Sequence, residues 1–365
     1  MTENNIRMGI LVTDRVQASA VHMISDMILA ANYALFKTSE KIHKKPVPST
    51  GQSTDKSTIK SKHGFELVLY GEKKYVTAYN GSRIGPLTLL EGEKAPDVMM
   101  LPGLFEATLP QQLIEESLRK LQRTESTLKA WHENGTLFAA VCTGNFLAAK
   151  TNINHNKTLT CHWASEAVAH SLFPDQSFVP EKLLIDHGSF ISAGGAFSVM
   201  QLVLYIVQRL FGREVALLTA KFMLIDINFE DQNRYAVFDP SFDHGDELVA
   251  TLQSKLHKAP QKSLDFAEFA GRKGITERHL SRRFKKVTGE TPLSYLQRLR
   301  VEKVKHGLEK TRKQISQLIW EAGYEDPASF RRLFKRYTGL TMQEYRQQFY
   351  LPEKLPKEPI SAPYG

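Results

Sequence analysis

Ser281-Arg-Arg-Phe-Lys-Lys-Val-Thr-Gly289 is echoed about 50 residues later by Arg331-Arg-Leu-Phe-Lys-Arg-Tyr-Thr-Gly339. Each stretch follows an apolar run with helical spacing, a short break and a new helix start. Each therefore predicts the second helix of a helix-turn-helix, and the self-similarity outranks any single motif. A chain built this way carries two helices able to read a DNA groove.

The two copies agree in phase. Successive helix residues turn by about 100°, which gathers Leu280, Phe284 and Val287 on one side of the first copy and Arg278, Ser281, Arg282 and Lys285 on the other. In the second copy Phe330, Phe334 and Tyr337 form the apolar side, opposed by Ala328, Arg331, Arg332 and Lys335. One side is suited to burial and the other to an acidic groove. A lone basic face is ordinarily a solvated one; two in matching phase point to double-stranded DNA.

Charge placement agrees. Residues 246–350 hold 22 Lys and Arg against 12 Asp and Glu, whereas residues 1–245 hold 24 against 25, so the net charge of +9 belongs to the C-terminal third. Phosphate neutralisation is the natural use of such a segment. An RNA partner is disfavoured by the lack of aromatic stacking motifs, and a membrane partner by the lack of an anchor. The two cysteines, Cys142 and Cys161, imply no disulfide framework. The N-terminus shows no signal-peptide pattern, and Ala196–Phe211 is too short and too polar for a membrane span. A reducing cytoplasm is the expected compartment.

The first two-thirds alternate strand and helix patterns. Strands are predicted at Ile6–Val12, Phe65–Tyr70, Asp97–Leu101, Leu137–Val141 and Phe190–Ala193, and helices at Val21–Phe36, Leu109–Glu133 and after Gly194-Gly195. This order predicts an α/β domain over residues 1–228, a mostly parallel sheet covered on both faces. Residues 37–63, rich in Lys, Ser and Thr, read as a mobile insertion. Residues 229–245 read as a linker and 351–365 as a loose tail. Residues 246–350 read as an all-α domain of seven helices: Asp246–His257, Ser263–Gly271, Thr276–Val287, Pro292–Leu308, Lys313–Ala322, Pro327–Tyr337 and Thr341–Phe349. Thr276 is placed as an N-cap, and Thr291 before Pro292 as a helix start. Gly307 in the connecting helix is expected to cost up to ~1 kcal/mol relative to Ala if exposed.

The run from Leu264 to Arg346 resembles the AraC-type DNA-binding domain. The resemblance rests on Gly274-Ile-Thr-Glu-Arg-His-Leu-Ser-Arg-Arg-Phe284, Gly289-Glu-Thr-Pro292, Tyr295-Leu-Gln-Arg-Leu-Arg300, Ala322-Gly-Tyr-Glu-Asp326, Phe330-Arg-Arg-Leu-Phe334 and Gly339. Met342 departs from it, standing where the family usually repeats the proline seen at Pro292. The resemblance implies base contacts at Arg278, Ser281, Arg282, Ala328, Ser329, Arg331 and Arg332, and phosphate contacts at Thr276, Lys285 and Lys335. Arginine can fork onto guanine, and small residues can meet a thymine methyl.

The N-terminal part resembles the ThiJ/PfpI, class I glutamine-amidotransferase-like fold, a flavodoxin-like sandwich. The resemblance rests on Phe138-Ala-Ala-Val-Cys-Thr-Gly-Asn-Phe-Leu147, Thr160-Cys-His-Trp163 and Ala193-Gly-Gly195. The joint architecture resembles the GlxA-type branch of AraC transcriptional regulators. It implies a homodimeric regulator, an activator working with RNA polymerase, that answers to a small-molecule effector of unknown identity. Cys142 sits where related enzymes carry their nucleophile, on a turn between strand and helix. Those enzymes add an acidic residue early in the first helix; Ala20 stands there instead, and Thr143 stands where some carry histidine. The resemblance thus favours an inactive domain with a ligand pocket at Cys142, Thr143, His162 and Trp163. A cysteine-dependent hydratase or amidase and a purely dimerising domain remain the alternatives. No cofactor is implied: Gly194-Gly195 lacks the lysine of a phosphate loop, and Cys161-His162 is too little for zinc.

Overall fold

The computed structural model describes residues 5–43, 64–103, 111–227, 231–238 and 240–351. The chain forms two compact units that meet between Gln232 and Asn233.

The first unit runs β1 (Asn5–Leu11), α1 (Ala18–His43), β2 (Gly64–Gly71), β3 (Val76–Thr77), β4 (Arg83–Ile84), β5 (Thr88–Leu89), β6 (Val98–Leu101), α2 (Gln111–Lys120), α3 (Gln122–Glu133), β7 (Leu137–Val141), α4 (Gly144–Thr151), α5 (Glu166–Leu172), β8 (Leu184–Asp186), β9 (Phe190–Ala193), α6 (Val199–Phe211) and α7 (Arg213–Phe222). Seven strands form one sheet in the order β5-β2-β1-β6-β7-β9-β8, parallel except for the β8–β9 edge pair. The central strands are near-continuous apolar runs because both faces are covered. On one face α1 buries Val21, Ile24, Met27, Ile28, Ala31 and Ala34 with α6 and α7; on the other, α2, α3 and α4 bury Ile114, Leu128, Trp131, Phe146 and Leu147. Asn32 fixes the start of β2 from α1, its amide donating to the Phe65 carbonyl and accepting from the Phe65 N–H (3.0 and 2.8 Å).

Three expectations change. The first helix continues to His43, so residues 37–43 of the expected insertion are helical; residues 44–63 lie outside the described residues. The helix expected over Leu109–Glu133 is two helices, broken at Leu121 (φ −91°, ψ 13°). The expected linker is divided between the units. Lys182 and Asp231 form an isolated antiparallel bridge, and the buried Gln232 amide donates to the Pro180 and Cys161 carbonyls (2.8 and 3.0 Å) in the first unit. Beyond it, Tyr235 packs on Phe349 and Phe238 on Tyr295 in the second.

The second unit contains α8 (Glu247–Lys258), α9 (Phe266–Gly271), α10 (Glu277–Thr288), α11 (Pro292–Lys310), α12 (Ile315–Glu321), α13 (Pro327–Thr338) and α14 (Met342–Phe349). It has two small cores. Val249, Leu252, Leu256, Phe269, Leu280 and Phe284 form one with Tyr295 and Leu296 of α11; Leu318, Ile319, Phe330, Phe334, Met342 and Tyr345 form the other with Val301, Val304 and Leu308 of the same helix. One helix thus serves both helix-turn-helix motifs. Gly307 has a packing role: a Cβ there would stand 2.5 Å from Leu318 Cδ2, so the missing side chain lets α11 approach α12.

Candidate nucleic-acid interface

The two reading helices are built alike. Thr276 caps α10 by accepting from the His279 N–H (3.2 Å), and Asp326 caps α13 by accepting from the Ala328 N–H (2.9 Å). Pro327 supplies a first helical residue with φ already set. Both helices end on a left-handed glycine, Gly289 (φ +80°) and Gly339 (φ +73°). Met342 is no weakness: Thr341 and Glu344 form a reciprocal capping box, and Met342 is buried.

Burial of Leu280 and Phe284 fixes the roll of α10, and burial of Phe330, Leu333 and Phe334 fixes that of α13. Arg278, Arg282, Lys285, Ala328, Arg331, Arg332 and Lys335 are consequently exposed, as is Thr276, while Ser281 and Ser329 are half-buried. Among the described residues, none of the six cations on these faces forms a salt bridge; Arg283, one residue from Arg282, instead binds Asp246 at 2.6 Å. That pair ties α10 to the start of α8. The Arg283 hydrogen bond holds the Asp246 carboxyl below the ordinary carboxylate range, and the Val249 N–H adds to this (3.1 Å).

The connector joins the two motifs by polar contacts as well. Arg300 Nε donates to the Pro260 carbonyl (2.7 Å), Arg300 Nη2 to that of Lys262 (3.3 Å), and Lys303 Nζ to that of Glu321 (2.7 Å). The loop before α9 and the turn after α12 are thus held by adjacent turns of α11. The Arg300 guanidinium also lies 5.1 Å from the Tyr324 ring centre. Arg300 was legible only as part of the family motif; its role in fixing one motif against the other was not.

In the first unit, Cys142 follows β7 directly and has φ +56°, a strained turn. Gly144 permits it, since a Cβ there would lie 2.2 Å from the Leu101 carbonyl oxygen. Asn145 Nδ2 donates to the Cys142 and Ala193 carbonyls (3.1 and 2.9 Å), closing the turn onto β9. Cys142 and Thr143 are buried, while His162 and Trp163 are half-buried. Burial pushes the Cys142 thiol up to about 11 and lowers the pKa of His162, whose Nδ1 accepts from the Ala164 N–H (3.0 Å). The thiol is therefore protonated near neutrality, and the histidine ring is engaged with its own backbone. Ala20, buried in the first turns of α1, supplies no proton-sharing group. Among the described residues no group of three or more His, Cys, Asp and Glu could hold a metal ion, and no helix is long and apolar enough to cross a membrane.

Two capped, basic helices on a shared connector define a double helix-turn-helix domain. Residues 269–348 match the helix-turn-helix domain family and residues 52–209 match the DJ-1/PfpI family. The HTH-type transcriptional regulator CdhR of Pseudomonas aeruginosa is 25% identical over 304 residues, 82% of this chain and 86% of that protein. GbdR of the same species is 24% identical over 225 residues, 60% of each chain, and GlxA of Rhizobium meliloti 23% identical over 227 residues, 62% of this chain and 69% of that one. The chain thus joins a match to the DJ-1/PfpI family to a C-terminal helix-turn-helix match, the architecture of the AraC-family regulators it is similar to.

Proposed function

We propose that this protein is a sequence-specific transcriptional regulator that inserts α10 and α13 into successive major-groove segments on one side of a duplex, roughly one helical turn apart. The observation that carries this reading is the matched exposure of Arg278, Arg282, Arg331 and Arg332 on two helices whose opposite faces are buried. Arg278, Ser281, Arg282, Ala328, Ser329, Arg331 and Arg332 face base edges; Thr276, Lys285 and Lys335 face phosphates. The domain residues 246–350 read DNA, and residues 1–228 receive a small-molecule effector, pair two protomers, or do both. A ligand switches such a protein only by binding two arrangements with different affinity.

The N-terminal domain is read as catalytically inactive, on the protonated Cys142 thiol and on Ala20. The regulator acts in the cytoplasm as a homodimer, activating transcription with RNA polymerase. Sequencing the genomic fragments retained by the purified protein, followed by footprinting, tests the reading. A discrete set of fragments with protection of two neighbouring major-groove segments per site is expected. Equal retention of all fragments would refute it.

A further inference from the structure

A cavity of about 300 Å³ opens over the carboxyl ends of β1 and β2, away from the cysteine turn. Its polar lining comes from the β1–α1 loop (Asp14, Arg15), the end of β2 (Glu72, Lys73) and the last turn of α2 (Lys120), over an apolar floor that includes Val12. The carboxyl ends of strands in open α/β sheets are where ligands bind. We propose that this cavity is the effector site and that it takes a small organic carboxylate. The inference rests on the reading of the first unit as a ligand-receiving domain.

The charge balance selects the ligand. Both lining acids already have partners. Asp14 accepts from Lys73 Nζ (2.7 Å) and the Thr77 N–H (3.1 Å); Glu72 accepts from the Thr124 N–H (3.1 Å) and hydroxyl (2.5 Å). Lys73 is thereby matched. The lining carries three cations against two acids, an excess of one, and Arg15 and Lys120 are the two that can turn to a ligand. Arg15 forms no salt bridge among the described residues, and its guanidinium lies 5.5 Å from the Tyr79 ring centre. Lys120 pairs with Glu116, one turn back on the same exposed helix face (2.8 Å), and its charge also acts on Asp14, yet an ammonium has further hydrogens to donate.

Arg15 is also held in an unusual backbone conformation. Its φ is +66°, a region that side chains other than Asn and Asp seldom occupy, and its N–H is locked to the Thr77 carbonyl at 2.8 Å. Such strain persists where surrounding structure imposes it, and it clusters at ligand clamps. The lining includes the carboxyl end of α2 and, among the described residues, no helix N-terminus. It therefore has cations for a carboxylate but lacks the amide cradle that phosphate uses.

Calorimetric titration of the full chain at fixed ionic strength with acetate, succinate and glutarate, each against its amide, tests this. At least one acid is expected to bind roughly tenfold more tightly than its amide. Arg15→Asn, which tolerates the left-handed backbone, and Lys120→Gln should each weaken that binding by roughly tenfold, the worth of one charge-assisted hydrogen bond. Melting curves would show that both variants fold. Absence of binding by all three acids, equal binding of acid and amide, or affinity unchanged in both variants would overturn the assignment. DNA retention by the same preparations without added acid keeps the two readings apart: intact DNA binding with no carboxylate binding removes this inference alone.

Discussion

Gly323 and Gln261 are in direct backbone contact: a Cβ on Gly323 would stand 2.1 Å from the Gln261 carbonyl oxygen. Gly323 turns the chain between α12 and α13 at φ +84°, and Gln261 lies in the loop ahead of α9. The turn of one DNA-reading motif therefore rests on the approach to the other, beside Arg300 and Lys303.

Gly323→Ala should destabilise the second unit by about 3 kcal/mol, combining an unfavourable φ with a backbone clash. Gly274→Ala is the control. It has φ +69° but nothing within 4 Å of the added Cβ, so only about 1 kcal/mol is expected. Urea denaturation of both variants checks this; equal losses would show that the Gln261 contact carries no cost.

Arg282→Ala and Arg332→Ala should each reduce binding to a specific site by about 1–3 kcal/mol while sparing much of the nonspecific binding. Lys285→Ala and Lys335→Ala should weaken binding to all sequences and lower the salt slope by about one each. Titrations at several salt concentrations on specific and scrambled duplexes separate the two. Uniform losses for the arginines would reassign them to phosphate.

Asp246 gives the second unit an acid-sensitive joint. Its folded pKa is lowered, first by Arg283. The stability it contributes is thus fully present above the unfolded value of about 3.9 and is lost as pH falls through the lower folded value. Asp246→Ala removes a helix cap and should cost about 1 kcal/mol at pH 7. The difference from the parent chain should shrink as pH falls below about 4. A difference that stays constant through acid would show that the carboxylate is not the source.

Cys142 should resist alkylation. With its thiol pushed up to about 11, iodoacetamide at pH 8 should modify it at least about tenfold more slowly than a free cysteine of pKa about 8.5. Unfolding in urea should abolish the difference. Peptide mapping separates it from Cys161, whose thiol burial also pushes up. Rapid modification of the folded protein at Cys142 would revive a nucleophilic role.

The DNA-binding unit was legible in the sequence to within a few residues because its signals are local. Thr276, Thr291 and Thr341 stand immediately ahead of apolar periodicity, and the two helices repeat. In the first unit the central strands, the first helix and the helix after Gly194-Gly195 were legible, and the rest less so. Helix α4 was expected only from the turn at Cys142-Thr-Gly, because Gly144 through Ala148 are all buried, which leaves no polar face to give a period. The break at Leu121 involves neither Pro nor Gly, so the α2–α3 pattern reads straight through. The cavity at Arg15 draws its lining from three distant segments, and nothing in an arginine announces a left-handed backbone. For Cys142 the turn was readable from strand, Cys-Thr-Gly and helix, but the depth of the thiol depends on β6 and β9 and was not.

Gln232 bears on how this chain can be divided. Its side chain occupies the space a Cβ on Gly194 would need, with the would-be approach only 1.9 Å from Nε2. A truncation that stops short of residue 232 would leave a hole over that glycine and strip the donor from the Cys161 and Pro180 carbonyls. An isolated α/β fragment for soaking or screening should therefore retain Gln232 at its end, and the DNA-reading fragment should begin at Asn233 so that Tyr235 and Phe238 stay with the aromatic rings they cover.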